Sequence, residues 1–122
     1  MSGVYELREE LLERAVTGRI RVVAVSGELD MAAAPAFQRA LFEILADAEP
    51  TILDLTEVSF MDSTAIGALL AVRRHAELKP GRFAVVCSAG SEMERTLLYM
   101  GLDTAFSIVE SRAGAAAELA NA

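Results

Sequence analysis

"SFMDSTAIGALL", Ser59 to Leu70, begins and ends apolar but carries an acid and two hydroxyls in between: Asp62, Ser63 and Thr64. On its left, "TILDL" at 51–55 has the length and β-branched content of a short buried strand. On its right, Ile66, Leu69, Leu70 and Ala76 mark the core-facing stripe of a helix over residues 64–78. Residues 59–63 therefore read as a turn from strand into helix, with Asp62 or Ser63 as the natural N-cap. In open α/β folds, ligands and partners meet the chain where the carboxyl end of a strand turns into a helix. A cap accounts for one polar residue at this turn. Three in a row call for a second explanation.

The same alternation extends in both directions. "IRVVAVSG" at 20–27 is apolar on both faces, the pattern of a central strand. Before it, "YELREELLER" carries both alternating and helical spacings. The turn-like "VTGR" at 16–19 favours an antiparallel hairpin. Residues 33–48 read as a helix with Phe37, Leu41, Ile44, Leu45 and Ala48 on one stripe, Pro35 in its first turn and Pro50 just past its end. "KPGR" at 79–82 breaks the second helix, and "FAVVC" at 83–87 is another buried strand. "SEME" at 91–94 has the Ser-x-x-Glu spacing of a capping box, opening a helix through Tyr99, with Gly101 placed to end it. "AFSIV" at 105–109 is a last short strand, and 111–120 a terminal helix. Strands separated by helices of this length imply parallel pairing with helical crossovers.

At 122 residues the chain suits a single domain, 1–122, with one core. No run approaches the ~18 apolar residues of a membrane span. The charged start "MSGVYELREELLER" lacks a signal-peptide pattern, so the expectation is a cytoplasmic protein without a membrane role. The lone Cys87 lies in an apolar run and reads as a small core residue. A net charge of −7 without a basic stripe argues against nucleic acid as a partner. Arg73-Arg74 is the only central basic pair and reads as a solvated helix face.

Catalysis is one candidate role for the triplet. A serine nucleophile needs a base within about 3 Å. The only histidine, His75, is twelve residues along the same helix, roughly 18 Å away at about 1.5 Å per residue. One Cys and one His do not make a transition-metal site, and no glycine-rich phosphate loop follows a strand. No catalytic residue, metal or cofactor is expected, and the chain is not read as an enzyme. A switch fits better. A serine at a helix N-terminus is reachable by a kinase, and phosphorylation adds about −1.5 to −2 charges. The free N–H groups there tolerate an anion, so the fold would survive while a docked surface is repelled.

Three segments carry a family likeness: "GELD" at 27–30, "LDLTEVSFMDST" at 53–64 and "LLYMGLDTAFSIV" at 97–109. In order and spacing they resemble the STAS domain family, and within it the anti-sigma factor antagonists, over about residues 5–120. The resemblance implies an α/β fold: a STAS-like mixed sheet of about five strands with four helices, in the order β-β-α-β-α-β-α-β-α. It implies a protein that binds an anti-sigma factor, itself a serine kinase of the GHKL ATPase type, and so releases a sigma factor. Phosphorylation of Ser63 would break that complex, and a PP2C-type phosphatase would reset it. Thr64 is then the lesser acceptor, and Asp30, ending "GELD", the acid near the acceptor. The partner-facing set comprises Asp30, Phe60, Met61, Asp62, Ser63, Thr64 and Ala65. The family also hosts subunits of lipid-transport complexes and signalling scaffolds, which is the alternative reading. Ala65 stands where the family usually has glycine. A methyl is harmless there if glycine only permits close approach, and harmful if it supplies an unusual backbone angle.

Overall fold

Helices and strands alternate after an opening hairpin in the computed structural model, which describes residues 5–14, 18–46, 50–75, 83–104 and 107–120. β1 (Tyr5–Arg14) pairs antiparallel with β2 (Gly18–Leu29), with Tyr5 opposite Gly27 and Arg14 opposite Gly18. β2, β3 (Thr51–Met61), β4 (Phe83–Val86) and β5 (Ser107–Val109) then run parallel. The spatial order is β1-β2-β3-β4-β5. Parallel neighbours need long connections, and α1 (Ala34–Leu45), α2 (Ser63–His75) and α3 (Glu92–Tyr99) supply them. α4 (Arg112–Ala120) follows β5. This is the expected mixed sheet of five strands with four helices. A 3-10 turn at Leu102–Thr104, unforeseen in the sequence, leads into β5. Parts of several expected elements lie outside the described residues: the hairpin turn at 15–17, the end of the first helix at 47–49, the breaker "KPGR" with 76–78, and residues 105–106.

The middle of the sheet is buried on both faces, which is why β2 reads as an unbroken apolar run from Val22 to Val25. Val23 and Val25 face α1, α2 and α3, together with Leu53, Leu55, Val85 and Cys87. Ile20, Val22, Ile52, Ala84 and Val86 face α4, which covers them with Ala115, Ala116 and Leu119. α1 owes its place to packing rather than capping. Its N-cap, Ala33, makes no side-chain cap bond, while Phe37, Leu41 and Leu45 form a buried stripe at four-residue spacing. Each such side chain contributes about 1.5–3 kcal/mol when fully buried. The Arg21 guanidinium of β2 donates to the Ile44 carbonyl. It brings a cation to a helix end that has no basic residue of its own.

α3 follows its local chemistry. The Ser91 hydroxyl accepts the Glu94 N–H at 3.1 Å, and the Glu94 carboxylate accepts the Gly90 N–H at 2.9 Å. The expected capping box thus forms, shifted by one residue on its return bond. Gly101 takes φ 76, the left-handed value that lets the helix stop.

β3 departs most from expectation. It does not stop at Leu55 but continues through Met61, so residues 59–61 are strand rather than turn. The register explains how. Between Arg21↔Thr51 and Leu29↔Met61, β2 advances eight residues and β3 ten, with shifts between Ala24/Ser26 and Gly27/Glu28. β3 therefore holds two extra residues as bulges. Its inward side chains fall at Leu53, Leu55, Val58 and Met61. The spacing widens from two to three where each bulge is absorbed. The exposed pairs Thr56-Glu57 and Ser59-Phe60 fill the gaps.

On the opposite face, the Asp54 carboxylate is 7% exposed in an otherwise apolar layer. One oxygen accepts the Thr56 N–H at 2.9 Å and the Thr56 hydroxyl at 2.7 Å. The other accepts Arg112 Nε at 2.7 Å, tying α4 to the middle of the sheet. Burial pushes the Asp54 carboxyl up, but the Thr56 N–H, the Arg112 side chain and the Thr56 hydroxyl together hold it below its ordinary value.

Candidate functional site: the paired strand ends of β2 and β3

The two bulges bring β2 and β3 to a level finish. Leu29 and Met61 are paired, and the next residue on each strand is an aspartate, Asp30 and Asp62. The Asp62 N–H donates to the Leu29 carbonyl at 3.1 Å, closing the ladder. Beyond this point the chains part, one into α1 and the other into α2. Asp30 shapes the turn before α1: its Oδ1 accepts the Ala33 N–H at 2.9 Å and its carbonyl accepts the Ala34 N–H at 3.0 Å. Asp30 thus braces the turn that precedes α1, whose N-cap is Ala33.

Asp62 is the N-cap of α2. Its Oδ1 accepts the Ala65 N–H at 3.1 Å, and its carbonyl accepts the Ile66 N–H at 3.1 Å. The same Oδ1 accepts the Thr64 hydroxyl at 2.5 Å. This hydroxyl bond is the main reason the Asp62 carboxyl stays below its ordinary value; slight desolvation opposes it, the Ala65 and Thr64 N–H groups add to it, and the nearby Asp30 charge opposes it. Ser63 sits between these groups in the first turn of α2, exposed. Its hydroxyl makes no hydrogen bond to any of the described residues.

The expected partner-facing set divides by exposure. Ser63 and Thr64 are exposed, Asp30 and Asp62 are half-buried, and Phe60 is 49% exposed. Met61 and Ala65 turn their side chains into the core, at 6% and 0% exposure. The three-residue spacing at the second bulge sends Phe60 outward and Met61 inward. Ala65 occupies a helical position, where alanine is the most favourable residue. No left-handed angle is needed, so the departure from glycine costs the local backbone nothing.

Two features of this end of the sheet were not read from the sequence. Met31, directly after Asp30, is 68% exposed and adds an apolar side chain to the rim. A lone methionine in a turn gives no pattern by which to find it. A cleft of about 280 Å³ lies between the end of β3 and the start of α3, with Ser59, Phe60, Ser88, Ser91 and Met93 among its lining residues. It depends on the continuation of β3 and so was hidden with it.

The site offers little for catalysis. α2 runs unbroken from Ser63 to His75, so the histidine stands a helix length away from the serine. Among the described residues no group of three His, Cys, Asp or Glu is placed to hold a metal. Burial, and then the Glu94 charge, push the Cys87 thiol up to about 11, so it is not a ready nucleophile. Among the described residues, no helix is long and apolar enough to cross a membrane.

The STAS domain family model matches residues 12–115. The anti-sigma-F factor antagonist RsfB of Mycobacterium tuberculosis is 34% identical over 89 residues, covering 71% of this chain and 70% of that protein. An anti-sigma factor antagonist from Mycobacterium paratuberculosis superposes with a TM-score of 0.73 at 28% identity, over 93% of this chain and 94% of that one. The phosphorylated form of the Bacillus cell fate determinant SpoIIAA shares the fold, with a TM-score of 0.57 at 21% identity over 92% and 99% of the two chains. The continuous match across both strand ends, and through the segment that carries the Asp-Ser pair, makes this chain a member of the STAS domain family, similar within it to anti-sigma factor antagonists.

Proposed function

We propose that this chain is an anti-sigma factor antagonist, a binding module switched by phosphorylation of Ser63. It docks the paired ends of β2 and β3 onto an anti-sigma factor that is a serine kinase, and the sigma factor held there is released. Phosphoryl transfer to Ser63 ends the complex, and a phosphatase of the PP2C type restores the antagonist. The observation that carries this reading is the Ser63 hydroxyl: exposed, unengaged among the described residues, and set in the first helical turn directly after Asp62, whose carboxylate feels the charge of Asp30. The helix N-terminus tolerates a phosphate there, while the added charge, joined to that of the two neighbouring carboxylates, opposes docking of a surface chosen for the unmodified state. The names of the relatives support the same reading.

The chain, immobilised, should capture from its own cells a small ATPase-fold kinase. With ATP that kinase should add one phosphate to the wild type and none to Ser63→Ala. Undiminished labelling of Ser63→Ala would move the acceptor elsewhere, and capture of a membrane transport ATPase instead would point to the lipid-transport branch of the family.

A further inference from the structure

Two hydroxyls stand side by side at the start of α2, and both are exposed. Exposure alone does not choose between them. Their hydrogen bonding does. The Thr64 hydroxyl donates its proton to Asp62 Oδ1 at 2.5 Å, while the Ser63 hydroxyl has no bond among the described residues. The carboxylate that holds Thr64 is itself fixed, because the same oxygen accepts the Ala65 N–H at 3.1 Å and the Asp62 N–H is anchored on the Leu29 carbonyl at 3.1 Å. Thr64 is thus tied to a rigid cap rather than to a side chain free to follow it.

We propose that Asp62 is a positioning residue that directs phosphorylation to Ser63 by engaging the hydroxyl of Thr64. The inference rests on the reading of this segment as a kinase substrate and adds the determinant of the acceptor. In the transfer step the acceptor oxygen bonds to the γ-phosphorus of ATP, and the bond from that phosphorus to the bridging oxygen breaks. ADP leaves with the electron pair, and the hydroxyl proton passes to a base of the kinase. An acceptor must therefore present both its oxygen and its proton to the incoming enzyme. Ser63 can do so as it stands. Thr64 must first give up a charge-assisted bond, a strong class of hydrogen bond. Once phosphorylated it would hold a dianion against the carboxylate it had been bonded to. Both effects act in the same direction.

The test compares acceptors within one molecule, so changes in overall docking cancel. Wild type, Asp62→Asn and Asp62→Ser are each phosphorylated by the co-purifying kinase with ATP, and the ratio of phosphothreonine 64 to phosphoserine 63 is read by fragment mass spectrometry. Asparagine and serine both remain good N-caps, and a thermal melt confirms that each variant is folded. The ratio should rise at least tenfold in Asp62→Ser, with Asp62→Asn in between. A second measurement needs no kinase: the Asp62 carboxyl is titrated by carbon NMR in wild type and Thr64→Val. Its midpoint should move upward when the hydroxyl is lost, whereas a cap that serves only the helix would leave it in place. Phosphate confined to Ser63 in all three proteins, or an unmoved Asp62 midpoint, overturns the directing role alone. Phosphate on neither hydroxyl overturns the switch and the directing role with it.

Discussion

Replacing Ser63 by aspartate should leave the fold almost untouched and cost the partner complex at least a hundredfold in affinity. Asp30 and Asp62 directly follow the paired strand ends Leu29 and Met61, so a carboxylate at position 63 would add to their charge; two carboxylates about 7 Å apart set the scale of the repulsion. At that distance in water each pair repels by about 0.6 kcal/mol. Screening with a Debye length of about 8 Å brings the two together to about 0.5 kcal/mol at physiological salt. Against this, an acid in the first turn of a helix contributes about 0.3–1 kcal/mol of stabilisation. The Ser63 hydroxyl makes no bond among the described residues, so the native state loses no interaction there. The terms nearly cancel, and the thermal midpoint should move by no more than about 3 °C for a domain of this size. The bound state is different. A charge enclosed against a protein surface without a counter-charge costs several kcal/mol, and about 2.8 kcal/mol is already a hundredfold. Differential scanning calorimetry measures the first quantity, and titration calorimetry against the captured anti-sigma factor measures the second. A midpoint lowered by more than about 10 °C would show that Ser63 is a structural cap, and an unchanged affinity would show that the interface does not cover position 63.

Asp54→Asn should destabilise the domain by about 2 kcal/mol at pH 7, because a hydrogen bond to a charged partner is lost and Arg112 is left facing an amide. The Asp54 carboxyl is held below its ordinary value, so the wild-type advantage is complete above about pH 4, near the unfolded value. It fades as pH falls through the lower folded value. Urea melts at pH 7 and pH 3 should therefore show a gap that narrows in acid; a gap as wide at pH 3 as at pH 7 would deny the ion pair its role. Cys87, buried with its thiol pushed up to about 11, should resist a thiol reagent at pH 8 in the native state and react fully in denaturant; rapid native labelling would contradict its burial.

What the sequence disclosed follows the range of the forces involved. Capping and turn chemistry act within a few residues, so Ser91, Gly101 and Asp62 could be read directly. Helical stripes such as Phe37, Leu41 and Leu45 repeat often enough to be seen. β3 could not be followed past Leu55, because each bulge replaces the two-residue alternation with a step of three. The same step decides that Phe60 is exposed and Met61 buried, and nothing in their composition separates them. The Asp54–Arg112 pair joins residues 58 apart, and within "TILDL" the aspartate gives no sign of its partner. At the site, Asp30 was placed by likeness to a family. Its nearness to Asp62 is a matter of register, which only the folded sheet supplies.

The surplus of two residues in β3 makes the length of that segment a more exacting requirement than its composition. Thr56, Glu57, Ser59 and Phe60 are exposed, and the bonds their side chains make inward are few: the Thr56 hydroxyl donates to Asp54 and the Ser59 hydroxyl to the Gly27 carbonyl. Removing any one of these exposed residues would slide the rest of the strand by a single step, rotate Met61 out of the interior and carry the acidic end of β3 out of step with its neighbour. The stretch therefore tolerates a changed side chain more readily than a lost residue.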